Sequence, residues 1–351
     1  MDKYQQRAGV LATIGCLLWL LPVLVVQAAE RDLYVSEVTV TDQTPAVRAA
    51  ALQRALGEVL VRVAGQDAVL DTEPARALLK DPSRLVQQYR YFSSSVGESP
   101  QLRLWVRFDG DVIRQSMQQQ GLAYWGTERP DTLAWLAVED RGKRYVVSAT
   151  GESDVRHQVE QAATGRGVPL LFPLMDLEDQ SSVRFSDIWG GFFDNVLRAS
   201  ERYSPSAVLI GRLNRSPSGG WAARWYLQVA GKPSAWTDSR QHLEDLSQQG
   251  IADTADILAS RFAVAQAGGS SDRVTIEVTG IDTLADYART GNYLASLTSV
   301  AAVQVAQVME SGVQYALQLD GSLQDLTRTV TIGTVLEAAP DGIPGSYRLR
   351  Q

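Results

Sequence analysis

Apolar residues in this chain recur at two spacings, and the spacing switches from stretch to stretch. Between residues 168 and 215 an apolar run, VPLLFPL, precedes a cluster of acidic residues. An amphipathic segment of helix length and a second apolar run, AVLIG, follow. Buried runs on either side of a helical pattern predict a strand–helix–strand unit with parallel strands, at 170–174, 185–203 and 207–212.

The same reading divides the rest of the chain. Alternation at 33–40 predicts a half-buried strand. Pro45 opens a helix whose Ala49, Leu52, Leu56, Val59, Leu60 and Val63 recur at helical spacing until Gly65. A second helical piece is predicted at 82–91 from Leu85, Val86 and Tyr89, then a strand at 102–108 and a helix at 111–120. These elements make a small α+β domain over 31–124, and 124–130 is a linker.

A central domain over 131–265 is predicted to begin with a strand at 132–138. Its hairpin partner at 144–148 follows the turn Arg141–Gly142. A helix at 154–164, the unit above, a strand at 221–229, a short strand near Trp236 and a helix at 243–263 complete it. After a Gly/Ser linker at 267–272, the order of elements over 273–351 is βαββαβ, as in ferredoxin-like modules. The expected fold is a central α/β domain with a mixed sheet. Two small α+β modules, ferredoxin-like or related, flank it after an N-terminal signal segment.

The N-terminus carries a targeting pattern. Lys3 and Arg7 precede a charge-free apolar run of about 17 residues, and Val26, Gln27 and Ala28 follow with small residues at cleavage spacing. This predicts a signal peptide over 1–28 and a periplasmic protein. The alternative is an uncleaved anchor in the inner membrane, for which the run is short. Cys16 sits in a loose lipobox, but Thr13 stands where Leu is usual and the apolar run continues past it, so it reads as a passive residue of the signal. Without that segment the chain has no cysteine, hence neither disulfide nor thiol chemistry. The net charge of −7 argues against a general nucleic-acid binder.

Candidate chemistry is sparse. Asp176, Glu178 and Asp179 follow a buried strand, where α/β sheets place ligands; they could hold a divalent cation, but read first as a solvated turn with charge beside a helix start. Gly190 and Gly191, after a helix start at Ser186 or Asp187, suggest close packing of a backbone or a partner, and lack the Lys-Ser/Thr of a phosphate loop. Trp221 and Trp225 share a strand face and, with Tyr226, Trp236 and Trp189, form either a partner- or carbohydrate-binding surface or core packing. His157 and His242 are the only histidines, and no Ser/His/Asp set is visible. Asn214-Arg215-Ser216 matches a glycosylation sequon at a hairpin tip. No catalytic residue, cofactor or metal is assigned.

Leu33-Tyr34-Val35, Ala49-Ala50-Ala51-Leu52 and the 59–65 run resemble the start of a proteobacterial family of exported proteins, domain-of-unknown-function family 2066. The segments at 170–177, 188–192, 207–212 and 220–221 resemble it too. The central element order is similar to envelope modules such as the N-terminal domain of TolB and lipoprotein activators of peptidoglycan synthases. The resemblance implies an envelope protein of a Gram-negative bacterium and transfers no catalytic residue. The expected function is an envelope-associated binding or scaffolding protein whose partner is an envelope protein or polymer, not nucleic acid. It would meet the membrane only through its N-terminal segment. The alternative is a carboxylate-dependent hydrolase of an envelope polymer.

Overall fold

The structure, a computed structural model, describes residues 32–94, 100–217, 219–263, 273–309, 311–340 and 342–350. The expected signal segment, with Cys16, and the linker at 267–272 lie outside the described residues. Contacts divide the chain into Met1–Asp32 and Leu33–Gln351, and the second unit is described below.

Its first domain contains β1 (Val35–Thr39), α1 (Pro45–Ala64), α2 (Glu73–Lys80), β2 (Val86–Ser94), β3 (Gln101–Phe108) and α3 (Gly110–Gln119). The strands form an antiparallel sheet in the order β1-β3-β2. Pro45 starts α1 where a missing N–H costs nothing. Gly65 ends it at φ 78°, donating its N–H to the Val61 carbonyl. Between these caps Leu52, Leu56, Val59, Leu60 and Val63 enter the core. The helix expected at 82–91 is instead a 3₁₀ turn, Pro82–Leu85, followed by strand β2. Tyr89, Tyr91 and Phe92 favour extended chain, and pairing with β3 outweighs the chance helical spacing of Leu85, Val86 and Tyr89.

The central domain contains β4 (Thr132–Asp140), β5 (Lys143–Val146), α4 (Asp154–Arg166), β6 (Leu170–Leu171), α5 (Leu177–Ser182), α6 (Phe185–Gly190), α7 (Phe193–Ser200), β7 (Ala207–Arg215), β8 (Trp221–Val229), β9 (Lys232–Arg240) and α8 (Leu243–Phe262). Its mixed sheet runs β5-β4-β7-β8-β9, with β6 also on β4. β4 is parallel to both β6 and β7, so the expected parallel unit exists, with β4 between its two strands. Both faces of β4 are covered. Ala134, Leu136 and Val138 pack toward α4 and α8, and Leu133, Trp135 and Ala137 toward α6 and α7. This explains why its sequence is continuously apolar rather than alternating.

Two expectations change here. The strand at 170–174 is only two residues long, because Pro169 and Pro173 flank it and neither can donate to a ladder. The helix at 185–203 is broken into α6, α7 and a 3₁₀ turn, because Gly191 adopts a left-handed conformation, φ 82°.

The third domain contains β10 (Arg273–Thr279), α9 (Leu284–Ser296), β11 (Val300–Met309), β12 (Gly312–Leu319), α10 (Leu323–Ile332), β13 (Leu336–Ala338) and β14 (Ser346–Leu349). Thr283 and Ser322 cap their helices in reciprocal boxes with Asp286 and Asp325. The βαββα order holds, but the unexpected β13 adds a hairpin, so β14 runs parallel to β10 in the order β11-β12-β10-β14-β13. The molecule is thus an α/β core flanked by two α+β domains.

Two arginines tie the first domain to the core. Arg62 of α1 donates from Nε to the Gly165 carbonyl, at 2.9 Å, and from Nη1 to that of Val35, at 2.6 Å. Arg129, on the connecting segment, reaches carbonyls of α1, that segment and α4.

Candidate functional site

The acidic segment folds around a cation supplied by the protein itself. Met175 takes φ 54°, and Asp176 caps α5 by accepting from the Asp179 N–H at 3.0 Å. Behind it, the turn after α7 presents Arg202. Its Nη1 and Nη2 bind Asp176 bidentately at 2.8 and 2.9 Å, and Nη1 also reaches Asp179 Oδ1 at 2.9 Å and Glu178 at 3.7 Å. Asp179 is 1% exposed. Its other oxygen accepts from the Tyr203 hydroxyl at 2.5 Å and the Met175 N–H at 2.8 Å.

The electrostatics follow from these bonds. The Arg202 hydrogen bonds, then the Asp179 N–H, hold the Asp176 carboxyl well below the usual range. The same bonds hold the Arg202 guanidinium above its ordinary value. Burial, and then donation to Asp179, pushes the Tyr203 hydroxyl up. The acidic turn is therefore an ion-pair lock over a helix start rather than an open cation site, with Asp176 and Glu178 exposed to solvent as a solvated turn would have them and Asp179 buried beneath. A metal would have to displace Arg202. Among the described residues no group of three or more His, Cys, Asp or Glu is placed to hold one. Arg202 and Tyr203 carry no local sequence signal for this role, since they arrive through the tertiary fold.

The other candidates separate from this lock. Trp189 stacks on Phe185, centroids 5.1 Å apart, and its carbonyl accepts from Arg212. Gly191 meets nothing where a Cβ would stand, and Gly190 meets only the Phe192 ring. Within the described residues no backbone packs closely on this pair. Gly191 is needed for its positive φ at the end of α6. The aromatic-surface reading of Trp221 and Trp225 is corrected. Both are buried, Trp225 to 2%, on the face of β8 that meets α8. A Cβ on Gly250 of α8 would stand 2.5 Å from the Trp225 ring, so this glycine lets helix and sheet approach. Trp225 stacks across the ladder on Trp236 at 6.4 Å.

A cleft of about 660 Å³ opens between the first and central domains, lined by Gln158, Gln161, Gln248, Gln249, Arg166 and Arg240. Its arginines are engaged, Arg166 with Asp67 and Asp256 and Arg240 with Asp238.

The third domain presents a different feature. β11, VAAVQVAQVM, is ten residues long, uncharged and at the end of its sheet. Val308 is 68% exposed. Among the described edge strands longer than two residues, all others carry a charge: Glu37 in β1, Arg90 in β2, Lys143 in β5, Lys232 in β9 and Glu337 in β13. Charges and prolines on an edge discourage strand addition, and β11 has neither. Its register breaks between Val300 and Ala302 and between Val305 and Gln307. The sequence reading found this strand without its edge position, which depends on sheet order.

Residues 28–126 match a family model described as Domain of unknown function (DUF8605). That segment takes in the first domain and assigns no chemistry. No curated protein matches the chain. Among the described residues no helix is long and apolar enough to cross a membrane.

Proposed function

We propose that this is an exported, envelope-associated binding or scaffolding protein that accepts an extended, uncharged segment of a partner protein as an added strand on β11. The carrying observation is the uncharged edge, set against the charged edges of the other sheets. An incoming strand would satisfy the open main-chain groups, while Val305 and Val308 would offer apolar contact to alternate side chains. Export is supported by the N-terminal pattern of charge, apolar run and small residues. The lock at Arg202 supports binding over hydrolysis, because it ties up the carboxylates a hydrolase would need.

The test uses the full-length chain expressed in a Gram-negative host, with a photo-crosslinking residue at Gln304 or Gln307. The expected result is a discrete protein adduct in the periplasmic fraction, lost when Val305 and Val308 are both replaced by Lys. Recovery in the cytoplasm overturns the export reading, and absence of an adduct overturns the edge reading.

A further inference from the structure

The face of the central sheet opposite α8 holds a pocket of about 350 Å³, lined by Arg212, Arg224, Phe193, Tyr226, Trp236 and Thr237 among others. The register of β7 and β8 sets Arg212 directly opposite Arg224. Side chains so placed share a face with Cβ atoms about 5 Å apart, and like charges there are destabilising. No carboxylate lines the pocket. Arg212 donates only to the Trp189 carbonyl, and Arg224, which is exposed, has no ion pair or hydrogen bond among the described residues. Burial, then the charge of Arg224, holds the Arg212 guanidinium below its ordinary value. Burial, then the charge of Asp194, raises the Tyr226 hydroxyl.

Other arginines of this sheet behave differently. Arg144 pairs with Glu139 at 2.8 Å, Arg215 with Asp140 at 3.0 Å and Arg240 with Asp238 at 2.6 Å. Among the described arginines of this sheet, only Arg212 and Arg224 stand directly opposite each other with no acid between them. One wall is aromatic, since Phe193 lies 4.5 Å from Tyr226, centroid to centroid. The floor is low, because Thr237 and Ala235 of β9 stand opposite Arg224 and Tyr226.

We propose that this pocket binds a phosphate monoester, its dianion held between the Arg212 and Arg224 guanidinium groups and its organic body against Tyr226 and Phe193. A dianion balances both charges, and its three peripheral oxygens can accept from two forks at once. A carboxylate is satisfied by one fork and leaves the second cation uncompensated. The site is distant in sequence and domain from β11 and does not depend on strand addition.

The test titrates the full-length protein with phenyl phosphate, inorganic phosphate and benzoate, reading Trp fluorescence and calorimetric heat. Vesicles containing phosphatidic acid form a further arm. Phenyl phosphate is expected to bind one to one and at least tenfold more tightly than benzoate. Arg224→Gln should weaken it at least tenfold while leaving the unliganded melting temperature unchanged or higher. Equal binding of inorganic and phenyl phosphate overturns the monoester assignment, since the aromatic wall would then contribute nothing. Tighter phenyl phosphate identifies a soluble organic ester, and Arg224-dependent retention on vesicles identifies a lipid headgroup. The proposal is overturned if benzoate binds as well as phenyl phosphate, if Arg224→Gln binds undiminished, or if no arm shows Arg224-dependent binding.

Discussion

Replacing Arg129 by Met asks whether a buried cation without an acid holds the first domain onto the core. The residue is 7% exposed. Nε donates to the Gly126 carbonyl at 2.8 Å, Nη1 to those of Arg166 and Gly167 at 3.1 Å each, and Nη2 to those of Arg62 and Trp125 at 2.8 and 2.7 Å. The guanidinium also lies 4.0 Å over the Trp125 ring. Burial lowers its pKa to about 9, a charge-burial cost on the order of 5 kcal/mol. Five bonds from a charged donor, at about 2 kcal/mol each, outweigh that cost. Met fills similar volume but leaves those carbonyls without their donor, so Arg129→Met should destabilise the protein by about 3–5 kcal/mol. Arg129→Lys keeps the charge but has three donors and should recover less than half of the loss. The assay is urea unfolding at neutral pH, followed by Trp fluorescence and far-UV circular dichroism. The variant's two transitions should separate as the domains uncouple. Coincident transitions within about 1 kcal/mol of the parent would refute the reasoning.

Three further outcomes follow from burial, ion pairing and backbone geometry. Tyr124 is raised above its ordinary 10.0 by burial, then by the neighbouring Tyr34. The folded state therefore keeps protons that the unfolded state loses, and stability should fall as pH rises above about 10. Arg129 acts oppositely, since its folded pKa is depressed. Tyr124→Phe should move the alkaline unfolding midpoint upward by circular dichroism, and an unchanged midpoint would count against a buried phenol there. Asp176 is depressed below its ordinary 3.8, so its contribution is present above that pH and lost as pH falls. Asp176→Asn should lower the melting temperature by a nearly constant amount from pH 7 down to about pH 4, and by progressively less as pH falls well below about 3, whereas a drop that does not shrink in strong acid would show that the ion pair is not the cause. Gly65→Ala and Gly191→Ala incur the same left-handed strain, about 1–2 kcal/mol. At Gly65 the new Cβ would also stand 2.2 Å from that of Ala259, while at Gly191 it meets nothing. Calorimetry should show a clearly larger loss for Gly65→Ala.

The architecture was legible where local signals and burial agree. Pro45 and Gly65 bracket α1, the continuous apolar run marks β4, and the alternation of Trp221, Ala223 and Trp225 marks a strand with one buried face. It was misread where two periods compete or where a backbone angle decides. Leu85, Val86 and Tyr89 fit a helix by spacing, yet the segment pairs with β3. Gly191 looks like a packing glycine in sequence and acts as a helix end. α2, capped by Thr72, and β13 were missed because both are short. Site residues were least legible, because their meaning is relational. The carboxylates at 176–179 look available until Arg202 arrives from the far side of α7. Arg224 can be placed outward by alternation with Trp225, but its opposition to Arg212 depends on the register of β7 and β8.

That opposition is difficult to explain as structure alone. Arg212 secures α6 through the Trp189 carbonyl, so one cation at this position has a packing role. Arg224 contributes no comparable bond, and its charge disfavours ionised Arg212. A Gln or Thr at 224 would suit a β-strand and remove the repulsion. A Glu there would convert it into a cross-strand pair of the kind that Arg215 makes with Asp140. With Arg at both positions the empty pocket is less stable than with these alternatives, and an anion reverses the sign of the interaction. The two signs make the decisive measurement simple. If the pair is only structural, Arg224→Gln lowers the melting temperature with or without phenyl phosphate. If it is a binding site, the variant is at least as stable when empty and loses the ligand-induced rise.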